Sequence, residues 1–166
     1  MIRVSLKTDP VTRSLPGLYG GVSVTVRRLR SPEWSSARVA AQATLQDDSQ
    51  LLPLLVEHDL LPEGGVRGWK RMRDDNPAAY AVFLAGVQQW LTAVECALVG
   101  GSAWTGIMTE DGPAPVTREV LQALFLDETL RDFFMDTLTE AALLLVVEGE
   151  PSGVSPNGSS GPGKTA

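Results

Sequence analysis

The stretch NPAAYAVFLAGVQQWLTAVECALVGG, residues 76–101, constrains the fold more than any other part of the chain. Asn76 followed by Pro77 is a helix start: the Asn side chain can accept from first-turn amides, and proline forfeits no hydrogen bond there. Tyr80, Phe83, Leu84, Val87, Leu91, Val94 and Leu98 then recur at three and four residues, which places them on one helical face. Gly100-Gly101 supplies the stop. A long helix with so wide an apolar stripe is stable only when other elements cover it.

Those elements can be read on either side. Ser31-Pro32-Glu33 is a second helix start, with Ser31 as N-cap, Pro32 at the first helical position and Glu33 at the positive end of the dipole. Trp34, Ala37, Ala41 and Leu45 then share a face. LLPLLVEHDLL, residues 51–61, is a short apolar segment in which Pro53 either lies in a first turn or breaks the helix, and PEGG after it marks a loop. Asp111-Gly112-Pro113 marks a turn. Thr117 is placed to cap a short helix carrying Val120, Leu121 and Leu124. Asp127 is placed to cap a last one, with Leu130, Phe133, Phe134, Leu138, Ala141 and Leu145 facing inward.

Ahead of the helices the period changes to two. Ile2, Val4 and Leu6 alternate with polar residues, and so do Val22, Val24 and Val26, the pattern of half-buried strands joined by a loop through PGLYGG. Two strands alone are marginal and must pair and pack against helices or a partner. The expected class is therefore α+β: a small N-terminal β element, then a mainly helical body. With 166 residues, 43% of them hydrophobic, one domain over residues 1–148 is expected. Residues 149–166 are dominated by Gly, Ser and Pro, with Val154 the only sizeable apolar side chain, and read as a flexible tail.

Chemistry is sparse. A net charge of −6 argues against nucleic acid and against an anionic membrane surface. No run approaches the roughly 18 apolar residues of a membrane span, and MIRVSLKTDP lacks the apolar core of a secretory signal. Cys96 is the only cysteine and sits in the apolar region of the long helix, so it reads as a small buried hydrophobe. His58, the only histidine, lies between Glu57 and Asp59 and reads as solvated or partly buried. No His/Cys spacing suits zinc, and the glycine pairs match no phosphate-binding loop. Asp47-Asp48 and Asp74-Asp75 are adjacent and so face apart on a helix, unsuited to paired acid–base work. Arg67, Lys70, Arg71 and Arg73 form one cationic patch, read first as a solvated face. No catalytic residue, metal or cofactor is expected, and the function left open is binding.

Several stretches occur in a telling order. VSVTVR at residues 22–27 leads into an Ala-rich helix; Trp104-Thr105-Gly106-Ile107 precedes Glu110-Asp111-Gly112 and Ala114-Pro115-Val116-Thr117; Glu148-Gly149 precedes SPNGSSG at 155–161. From Gly21 onward the chain resembles the tail assembly chaperones, small proteins encoded between the major tail protein and the tape measure of long-tailed bacteriophages and prophages. The family pattern often places Asn and Ser after the final acidic residue, where this chain has Glu150 and Pro151. The resemblance implies a non-catalytic protein of the host cytoplasm that binds the tape measure protein and recruits tail tube protein. It also implies that a longer frameshifted product is common among relatives, for which the tail would be a tether. The alternatives are a structural minor tail or tail completion protein and an unrelated bacterial adaptor. Trp34, Trp69, Trp90 and Trp104 are the candidate partner contacts, because Trp is enriched in binding hot spots. Trp90 lies off the main stripe and is expected nearest a contact surface. Arg67 and Arg71 complete the set.

Overall fold

The computed structural model describes residues 10–15 and 21–143. Eleven elements follow in the order β1 Val11–Ser14, β2 Ser23–Val26, α1 Ser31–Gln46, α2 Asp48–Glu57, α3 Gly65–Asp75, α4 Pro77–Gly100, β3 Gly101–Thr105, β4 Met108–Thr109, β5 Gly112–Pro113, α5 Arg118–Leu124 and α6 Glu128–Leu143. The class is α+β, as the change of period predicts. Both Ile2–Leu6 and the expected body end at Glu148 lie outside the described residues. The strand preceding β2 among the described residues is β1, which falls where a loop was expected.

The sheet is antiparallel in the order β1-β2-β3. The alternation in β2 sorts its two faces: Val24 and Val26 are fully buried, while Ser23 and Thr25 look outward. The outward hydroxyls pair across strands, Thr25 with Thr12 at 2.8 Å and Ser23 with Thr105 at 2.7 Å. The place of the third strand, after the long helix, was not expected. Gly101 does end α4, but the chain turns straight into β3, with Val24 opposite Trp104. Gly100, the last helical residue, has no room for a side chain: a Cβ there would lie 2.5 Å from Leu138 and 3.1 Å from Leu29.

α4 is the central helix, contacted by α1, α3, α5 and α6. By length and composition it could cross a bilayer, which corrects the expectation that no segment qualifies. Its C-terminal half is packed inside the protein: Leu91, Val94, Cys96 and Ala97 are buried. Local caps follow the side chains that were expected. Asn76 accepts from the Ala79 amide at 3.1 Å and Asp127 from the Leu130 amide at 3.0 Å; Thr117 serves α5. Two expectations are corrected. Pro53 lies inside α2, neither in its first turn nor at a break. Residues 65–75, expected only as loop and basic surface, form α3.

The start of α1 is also shifted. Arg30, not Ser31, holds the N-cap position, and Glu33 provides the closure by accepting from the Arg30 amide at 2.7 Å. Arg27 grips the same carboxylate with two bonds of 2.8 and 3.2 Å. The Arg27 guanidinium first, and the Arg30 amide second, lower the Glu33 pKa from 4.5 to about 2. A carboxyl held below its ordinary value stabilises the fold above that value, and the contribution is lost as pH falls from 4.5 toward 2. Glu33→Gln will therefore cost about 1 kcal/mol at pH 7 and much less at pH 2. Urea unfolding at both pH values measures this; an equal cost at both would refute the linkage.

Candidate partner-binding grooves

The N-terminal half of α4 emerges from the core. Val82, Ala85, Gly86 and Gln89 are exposed, and their spacing of three, four and seven puts them on one strip. Val82 is 75% exposed, the most of any large apolar side chain described. A cavity lies on each side of this strip.

The first, of about 350 Å³, is apolar. Phe83, Gly86, Val87 and Trp90 of α4 form one wall, and Phe125 and Leu126 after α5 form the other. Its floor is fixed: the Trp90 indole N–H donates to the Gln122 carbonyl at 3.0 Å, and Phe125 stacks edge-on with Phe134 at 5.1 Å. Its rim is open, with Leu126 44% exposed. Gly86 has nothing within 4 Å of where a Cβ would stand, so the missing side chain is space in the groove.

The second cavity, of about 440 Å³, is the more polar of the two, with Ala85, Ala93 and Met135 among charged and amide side chains. Arg38 of α1 faces Gln88, Gln89 and Thr92 of α4 and Asp132 of α6 across it. Arg131 lines both cavities.

No protein-family model, curated protein or solved structure matches the chain. Geometry and sequence therefore carry the functional reading.

The structure separates the residues singled out by sequence. Trp69 is wholly buried, edge-on to Tyr80 at 6.0 Å and beneath Arg73, whose guanidinium carbon is 4.8 Å from the ring centre. With no exposed surface it packs as a core residue. Trp90 is only 4% exposed. Trp90 leaves the main stripe yet packs inward, because α4 is covered on several sides and more than one of its faces points to the core. What Trp90 offers a partner is an edge at the bottom of the apolar groove. Trp34 and Trp104 are half-buried, and the Trp104 N–H is spent on the Ala114 carbonyl. Arg67 and Arg71 are exposed on α3, away from both cavities. Arg73 of the same patch is tied to Asp48 and Asp74.

His58 and Cys96 are also placed. The His58 ring meets Trp90 edge-on at 5.3 Å. Burial pushes the Cys96 thiol up to about 11, so it is protonated at neutral pH and packs as a small apolar group. Among the described residues no cluster of His, Cys, Asp or Glu is placed to hold a metal.

The groove residues Val82, Gly86, Leu126, Arg38 and Arg131 were not singled out by sequence. Val82 and Gly86 carry one weak signal, since each lies outside the apolar stripe of α4, whereas Leu126 stands in the turn between α5 and α6.

Proposed function

We propose that the chain is a non-catalytic tail assembly chaperone, which binds the tape measure protein in the host cytoplasm and helps bring tail tube protein to it. The observation that carries this reading is the apolar groove opening onto the exposed strip of α4. An unassembled tape measure exposes long apolar helical stripes, and a helix laid in an apolar groove is a standard way to shield one. The order of motifs from Val22 to Gly161 supports the choice of partner. Tail tube recruitment rests on that resemblance alone.

Gly86 makes the test specific. Gly86→Ala will raise stability by about 0.5–1 kcal/mol, since Gly weakens a helix interior and the site has room. Gly86→Leu will fill the groove and weaken co-purification with co-expressed tape measure protein at least about tenfold, the effect of blocking a central pocket. Unchanged capture by a folded Gly86→Leu protein would refute the groove as the binding surface. Apolar contacts dominate in this reading, so the complex will survive about 0.5 M salt; dissociation there would redirect attention to Arg67, Lys70 and Arg71. Mass spectrometry of purified particles separates the structural alternative, since a chaperone is scarce in them and a tail component is present at fixed copy number.

A further inference from the structure

The polar cavity holds cations that are unequally committed. Arg131 is tied to Glu128 at 3.1 Å and to Asp132 at 3.0 Å. Arg38 has no ion-pair partner among the described residues. Glu128 and Asp132 both hold Arg131, so Arg38 is the one cation of the lining whose charge no carboxylate among the described residues answers. Gln88, Gln89 and Thr92 add amide and hydroxyl donors. One uncommitted guanidinium suits a single carboxylate. A phosphate dianion or a nucleic-acid strand would bring further negative charge against Asp132 and against a protein of net charge −6.

The two cavities also belong to one surface. Ala85 lines the polar one and its neighbour Gly86 the apolar one. Both are small and exposed, so a second helix can cross α4 closely at this point with one end over each cavity. We infer that the polar cavity receives a carboxylate from the helix that docks in the apolar groove, so that the preferred occupant is an amphipathic helix whose apolar stripe runs into an acidic turn. The planar fork of Arg38 can donate two parallel hydrogen bonds to such a carboxylate. The inference rests on the apolar-groove reading and not on the identity of the partner.

Designed helical peptides of about 18 residues, long enough to form helix, test it. Each carries the same leucine stripe and ends in a turn bearing Glu, Gln or Lys, with binding read by fluorescence anisotropy. Arg38 is exposed on α1, and its substitution leaves the core untouched. The Glu peptide is expected to bind about three- to fivefold more tightly than the Gln peptide at low salt, the range for an exposed pair, with the difference shrinking as salt rises. Arg38→Glu will reverse the order in favour of the Lys peptide while changing affinity for the Gln peptide less than about twofold. Arg38→Lys will keep the preference for Glu, reduced by loss of the planar fork. Equal binding of the Glu and Gln peptides overturns the carboxylate site and leaves the apolar groove standing. If no peptide binds, or if Gly86→Leu changes none of the affinities, the groove itself fails and the inference with it.

Discussion

Trp69→Ala will lower stability by about 3–5 kcal/mol, the cost of emptying a large aromatic site in a packed core. Trp69 is wholly buried on α3, and its removal strips the contacts that hold α3 to Tyr80 on α4. The expected fall in thermal midpoint is roughly 6–20 °C for a protein of this size. The indole Nε1 reaches no acceptor among the described residues, so the native fold already carries the cost of an unpaired buried donor. Trp69→Phe removes that donor together with some volume, and will therefore cost less than half as much as Trp69→Ala. Differential scanning calorimetry of the two variants decides it. A surface anchor would behave differently: Trp69→Ala would then leave the midpoint in place and affect only binding.

Gly106→Ala will be nearly as damaging. Gly106 has a φ of +79°, and a Cβ there would run into the carbonyl oxygen of Gly21 and lie 3.0 Å from the Val22 Cα. The left-handed conformation costs an alanine about 1–2 kcal/mol, and overpacking against rigid backbone adds about 1–3 kcal/mol. A total of about 3 kcal/mol follows, concentrated where the end of β3 meets the start of β2. Native-state hydrogen exchange will locate it: amides of Ser23–Val26 and Gly101–Thr105 will lose protection before those of α4 do. Uniform loss across both regions would refute the local account.

What could be read from the sequence was local. Asn76, Thr117 and Asp127 act within three residues of themselves, so their caps are visible without a fold. The valines of β2 show their burial through strict alternation. α3 was hidden because Trp69 is its only fully buried residue and its remaining surface is basic, which leaves too little apolar period to detect. β3 was hidden because GSAWT has no alternation and becomes a strand only by pairing with distant β2. Arg30 stands at the start of α1 in place of Ser31 because Glu33, three residues on, accepts from its amide, and Arg27 from outside the helix holds the same carboxylate. The grooves were the least legible feature. Arg38, Gly86, Leu126 and Arg131 come from separate elements, and only packing brings them around one strip of α4.

The pairing of β2 with β3 sets a timetable for synthesis. Ser23 and its partner Thr105 are 82 residues apart, with four helices between them. At about 5–20 residues per second, β3 leaves the ribosome roughly 4–16 s after β2. During that interval β1 and β2 exist as a two-stranded ribbon, which is marginal in water, with one long edge unpaired. α1 is the first helix available to shield Val24 and Val26. A nascent chain stalled before Gly101 will therefore present an open sheet edge to the cell, and slowing translation across α4 will lengthen the period in which the protein aggregates most readily.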